Sequence, residues 1–263
     1  MSAGRSAATP GPVLFARFAY PPNALGYCGP GDSRAVLEYA AAGVSDRGLV
    51  TLARAFDGAW PYLALIAAAT GRRDPLDPDV VAAYWIGSDL LERVPPALLA
   101  AHVDDRFARR VGRRASDLGL LAALGGRAHH NFHVFAVYPW AGLLRGGHTP
   151  QPLRVLDSCR IRWGQVQAVH GQSATVRSRT LVWDGRALRL GAPICQPARL
   201  AVDGHPLAPR VEVGDWVALH WDWVCQRLDA AALGSLRHYT RTQLALANHA
   251  LDNPVPGRAF EAV

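Results

Sequence analysis

Between Ser33 and Arg114 apolar residues recur at three- and four-residue intervals, in SRAVLEYAAAG, GLVTLARAF, WPYLALIAAATG and PDVVAAYWIGSDLLERV. That spacing lines one side of a helix and predicts four or five helices. Asp32 and Ser33 read as a helix start, Gly71 as a stop, and Pro75, Pro78, Pro95 and Pro96 as punctuation. Ahead of this region, RFAYPPNALGYCGPGDS reads as an irregular loop leading into the first of these helices. Beyond it, HHNFHVFAVYP reads as a short extended or mixed segment, and its Val and Phe content argues against a helix. The Gly and Pro of WAGLLRGGHTPQP suggest a linker, which places a domain boundary near Pro150.

After that boundary the pattern changes. IRWGQVQAV, SATVRSRTLVWD, RALRLG and DWVALHWDWV are β-branched or aromatic, partly alternating, and separated by Gly or Asp turns, as in a small barrel. DAAALGSLRHYTRTQLALANHAL, from Asp229 to Leu251, returns to helical periodicity. The predicted fold class is α+β: a mainly helical domain over residues 1–150, then a small β-barrel with a C-terminal helix over 151–263. No internal repeat is visible.

Composition narrows the picture. With 263 residues, half of them apolar, the chain can bury a substantial core. Met1 to Pro12 lacks the apolar run of a secretory signal, and no later run has membrane-spanning length, so a cytoplasmic location and no membrane partner are expected. The formal charge of +7 is carried by Arg alone, with no Lys, in scattered positions and small clusters at Arg72-Arg73, Arg109-Arg110 and Arg113-Arg114. This reads as a solvated face rather than a phosphate-binding surface. Cys28, Cys159, Cys195 and Cys225 lie far apart without a CxxC pair, the pattern of reduced thiols rather than of a disulfide framework.

Two ordered motifs carry chemistry. CRIRWGQVQAVHGQSATV resembles the opening of the HypC/HupF chaperones of NiFe-hydrogenase assembly, in which a Cys leads a Gly-containing first strand. VGDWVALHWDWVCQRLDAAAL resembles that family's second signature, a Val-Gly-acidic strand that ends in a His before a helix. The resemblance spans about Ser158 to Leu251 and places Cys159 on the family's key Cys and His220 on its key His. It implies an OB-like barrel, a non-enzymatic assembly chaperone, and a cargo of iron carrying cyanide and carbonyl ligands. It also implies a HypD-like maturation scaffold and a hydrogenase large-subunit precursor as partners. Two positions differ from the family pattern: Cys159 is internal rather than next to an initiator Met, and Asp222 stands where a Gly usually follows the His.

The chemistry of the pair is consistent with that cargo, since a thiolate is a soft ligand for low-spin iron and imidazole a borderline one. Strand alternation would put Asp222 on the face of His220, where it could orient the ring and join the cofactor-binding set of Cys159 and His220. Cys225 reads as a core residue. Other candidate metal ligands are His129, His130 and His133, three histidines in five residues, and Cys28, a thiol close to a helix N-terminus. They support a second reading, a metal-dependent enzyme that uses Cys28 and the histidine cluster with the barrel as a docking module. A third is an OB-type nucleic-acid binder that uses the barrel tryptophans and Arg. Walker, GxSxG and HExxH motifs are absent.

Overall fold

The computed structural model describes residues 9–108, 115–138, 140–147, 150–208 and 210–253. The Arg clusters at 109–110 and 113–114 lie outside the described residues, as does the tail from residue 254 onward. The chain is α+β: helices fill the first part, a five-stranded sheet follows, and a long helix ends it.

The first helix, α1 (Gly11–Ala24), runs through Pro21 and Pro22, where an irregular loop was expected. Both prolines sit near its C-terminal end, where they remove two of the helix's last i→i−4 hydrogen bonds. The loss has a local result, because Pro22 cannot bond the Phe18 carbonyl four residues back and leaves that oxygen free. Asp32 caps α2 (Ser33–Ala42) by accepting from Ala35 N–H, and Gly43 closes it in the left-handed conformation. Asp46 caps α3 (Arg47–Arg54), and Asp77 caps α5 (Pro78–Trp85) after the apolar α4 (Trp60–Thr70). α6 (Pro96–Val103) completes the predicted helical region, and α7 (Ala115–Ala123) follows beyond it.

The histidine-rich segment is not extended. It forms the short helix α8 (His130–Phe132), which widens into a π-turn over His133–Val137 closed by Tyr138 N–H to the His133 carbonyl at 3.1 Å. Its β-favouring side chains are all buried, and burial overrides the local propensity. Single π-turns of this kind are frequent at functional sites. The predicted linker contains α9 (Trp140–Arg145) and leads into α10 (Pro150–Cys159). Cys159 therefore ends a helix; it does not open a strand.

The strands are β1 (Arg162–His170), β2 (Ser173–Trp183), β3 (Leu188–Arg199), the small hairpin β4 (Ala201–Val202) and β5 (His205–Pro206), then β6 (Trp216–His220) and β7 (Trp223–Leu228). The sheet order β1-β2-β3-β7-β6 closes because β6 pairs with β1, while the β3–β7 seam is a single parallel pair, Arg199 with Trp223. This partly open five-stranded roll is the OB-like architecture. α11 (Ala230–Asp252), capped by Asp229, packs against it.

Every residue of β6 from Val217 to His220 is buried. Val217 and Leu219 face the interior of the roll with Val166, Val176 and Val224. Ala218 belongs instead to the largest core, which also contains Phe15, Phe18, Tyr62, Tyr84 and Trp85 of the helices and Leu236 and Tyr239 of α11. The boundary near Pro150 thus separates two kinds of secondary structure that share one hydrophobic core. Among the described residues no helix is long and apolar enough to cross a membrane.

Candidate metal centre

Three segments distant in sequence converge on one buried point. α8 supplies His130, the end of α10 supplies Cys159, and the end of β6 supplies His220. Their ligand atoms all lie within 4.8 Å of one another. Cys159 Sγ is 4.0 Å from His130 Nε2. The two imidazoles meet edge to face at 5.1 Å between centroids, and Trp85 walls both, at 4.6 Å from His130 and 5.7 Å from His220. His220 is fully buried.

Each imidazole is oriented by a backbone carbonyl from the other half of the molecule. His220 Nδ1 donates to the Phe18 carbonyl at 2.6 Å, the oxygen that Pro22 leaves unused in α1. Its Nε2 has no well-formed hydrogen bond, so the lone pair of this nitrogen is available to a metal. A ligating His usually has its other N–H tied to a carbonyl or carboxylate in this way. His130 Nε2 lies 2.9 Å from the Cys159 carbonyl, and its Nδ1 3.1 Å from the Tyr84 hydroxyl. Asn131 holds the surrounding backbone: it donates to the Ile161 carbonyl and Thr240, and accepts from Ile161 N–H.

Burial sets the protonation states. It lowers His220 to about 4, against the pull of the Phe18 and Cys159 carbonyls, and depresses His130 well below the usual imidazole value, with the His220 and His133 rings adding to the effect. Both are neutral at physiological pH, the form that ligates. Burial also pushes the Cys159 thiol well above its usual range, and a Cys28 thiolate would raise it further. A metal must therefore displace the thiol proton to bind. With metal–ligand bonds of about 2.0–2.3 Å, three protein donors leave a coordination position open for a further ligand.

The other sequence-predicted residues fall into separate environments. Cys28 is half-buried in the loop after α1, and burial pushes its thiol up to about 12. That loop is fixed by Asn23, whose side chain donates to the carbonyls of Cys28 and Pro30, and by Tyr27, whose ring lies 4.6 Å from Trp221 beside His220. Gly29 there has φ 88° against the Phe56 ring, where a side chain would collide. His129 caps α8, its Nδ1 accepting from Asn131 N–H at 3.0 Å, and its ring stacks on Tyr239. His133 Nδ1 meets the Tyr62 hydroxyl at 3.1 Å. Neither belongs to the three-donor group.

Asp222 does not orient His220. β6 stops at His220, Trp221 turns with φ 54°, and the alternation that would align the two side chains ends there. Asp222 pairs instead with Arg199 at 2.9 Å, both of them about half exposed. Asp157, two residues before Cys159, pairs with the buried Arg160 at 2.8 Å, lies 3.6 Å from the buried Arg162, and accepts from Leu181 N–H. Cys225 is in the core, Cys195 is exposed on β3, and the ring of His205 leans on the Asp203 carbonyl. The Arg237 guanidinium lies over the rings of Trp163 and Trp216. Sequence reasoning missed Tyr84, Trp85 and Asn131; the available signal was Pro22, which frees a carbonyl for a partner.

No curated protein and no solved structure matches the chain. A family model described as "Family of unknown function (DUF6390)" matches residues 7–254, nearly the whole chain, and the protein belongs to that family.

Proposed function

We propose that this protein is an accessory factor of NiFe-hydrogenase maturation that holds an iron fragment bearing cyanide and carbonyl ligands, with Cys159, His220 and His130 as its donors. One observation carries the reading. Cys159 and His220, the two residues singled out by the motifs, are far apart in the chain and yet are neighbours in a His-Cys-His cluster of metal-ligating residue types. The donor set favours a soft or borderline transition metal over a hard cation. The aromatic wall of Trp85 and a three-donor group that, among the described residues, contains no carboxylate fit such a cargo.

The proposed partners follow from the same resemblance: a HypD-like scaffold that loads the fragment and a large-subunit precursor that receives it. The cytoplasm is the proposed location. The alternative of an enzyme centre made by Cys28 with all three clustered histidines has weaker support, because His129 and His133 are engaged by Asn131 and Tyr62.

The test is purification from a hydrogenase-producing host, with infrared spectra in the cyanide and carbonyl stretching region and identification of co-purifying proteins. The bands and the hydrogenase partners should be present in the wild type, and the bands should be lost in Cys159→Ser. A wild-type protein without bands or partners, under conditions where an authentic chaperone shows both, would overturn the reading.

A further inference from the structure

The metal-free geometry and the ligating geometry of His130 require different tautomers. A ring nitrogen 2.9 Å from a carbonyl must be the protonated one, so His130 carries its proton on Nε2 and accepts from the Tyr84 hydroxyl at Nδ1. Nε2, however, is the nitrogen that faces Cys159 Sγ at 4.0 Å. While it bears hydrogen it has no lone pair to give. His220 differs, because its proton is already on Nδ1 against Phe18 and its Nε2 is ready.

We propose, on the reading of a metal at this centre, that Tyr84 is the positioning residue that lets His130 change tautomer and become the third ligand. On loading, the Nε2–H···O contact to Cys159 is given up, Nε2 binds the metal, and the ring remains neutral with its single proton on Nδ1. The Tyr84 hydroxyl rotates from donor to acceptor and takes that N–H. A hydroxyl can serve in either role, while a carbonyl or an amide N–H in the same place would fix one tautomer. Tyr84 is fully buried and is held between Tyr62 and Trp85, so its hydroxyl stays placed at the His130 ring. The metal-free protein is thus held in a non-ligating arrangement by the Cys159 carbonyl, and Tyr84 supplies the partner that the ligating one needs.

The test combines nitrogen-15 correlation spectra of the histidine rings with metal titrations. His130 signals are assigned by their loss in a His130→Gln sample. In the wild type they should report Nε2–H without metal and Nδ1–H after Zn²⁺ is added. Co²⁺ titration, read by thiolate-to-cobalt absorption, should show Tyr84→Phe binding about 10–100-fold more weakly than wild type, as for the loss of other residues that orient a ligand. Tyr62→Phe, which removes the neighbouring stacked hydroxyl, should bind as wild type does. Equal affinity in wild type and Tyr84→Phe overturns the proposal for Tyr84 alone. A zinc-loaded wild type that still shows Nε2–H on His130 overturns it too, and decides the matter even if Tyr84→Phe does not fold. A wild type that binds neither Zn²⁺ nor Co²⁺ overturns the metal reading itself.

Discussion

The helical part and the rolled sheet contribute to the same centre in opposite ways. The sheet and the end of α10 provide Cys159 and His220, the residues a motif can single out, while the helices provide His130, Tyr84, Trp85 and the Phe18 carbonyl, which no motif marks. Each part also completes the other's imidazole, since the His220 N–H ends on a helix carbonyl and the His130 N–H on the Cys159 carbonyl. Cys159 and His220 would by themselves offer two donors; the helices add a third and bury both imidazoles.

Acid should separate the two parts most sharply. Burial lowers His129 and His133 to about 3 and His220 to about 4, against about 6.5 in an unfolded chain. Because the folded values lie below the unfolded one, the unfolded state binds more protons, and stability falls as pH drops from about 6.5 toward these values. The combined penalty is comparable with the whole stability of a domain, about 5–15 kcal/mol. The histidines lie in the helical part and at its junction with the sheet, whereas the interior of the roll is aliphatic. Circular dichroism and tryptophan fluorescence between pH 7 and pH 3 should show helix loss with a midpoint above pH 4. Unchanged helix content at pH 3.5 would mean that these histidines are not buried in the way described.

The next largest effect concerns metal. If the centre is shared, His130→Gln should cost as much affinity as His220→Gln, and each should exceed the roughly 10–100-fold that loss of an orienting residue costs. Competition titration with Co²⁺ measures both. Wild-type affinity in His130→Gln would reduce the centre to Cys159 and His220.

The sequence gives an uneven view of this arrangement, for physical reasons. Helices α2 to α6 were legible because apolar residues recur in them at helical spacing and Asp, Pro and Gly mark most of their ends. Cys159 and His220 were legible through ordered motifs. His130 was visible as part of a cluster, but its Val and Phe neighbours read as strand, and only tertiary burial forces that segment into α8 and a π-turn. Tyr84 and Trp85 look like ordinary core aromatics of α5. The division near Pro150 reflects a change of periodicity, which cannot reveal that the outer face of β6 is covered by α1. Asp222 was misplaced because alternation was carried two residues beyond the strand's end.

Asn131 joins the two parts by hydrogen bonds rather than by apolar contact. Its amide bonds the Ile161 carbonyl, Ile161 N–H and Thr240 at 3.1, 2.8 and 2.9 Å, all of them buried. Asn131→Ala would leave Ile161 N–H, the Ile161 carbonyl and the Thr240 hydroxyl without this partner and should destabilise the protein by about 3 kcal/mol. Urea unfolding measures this, and a loss confined to the helical signal would show that the two parts unfold separately rather than through this link.

The smallest effect is expected at Asp222, where the two descriptions of the centre differ most. A carboxylate that oriented His220 would matter to metal affinity as much as any other orienting group. The observed Asp222 instead faces Arg199 across a half-exposed ion pair, and such pairs contribute about 0–1 kcal/mol. Asp222→Asn should therefore lower stability by about 0.5 kcal/mol or less and leave Co²⁺ affinity unchanged. The ring of His220 keeps its orientation in this variant because the Phe18 carbonyl, not Asp222, receives its proton. Loss of Co²⁺ affinity in Asp222→Asn, with stability intact, would restore the carboxylate to the centre and remove the helix carbonyl from its role.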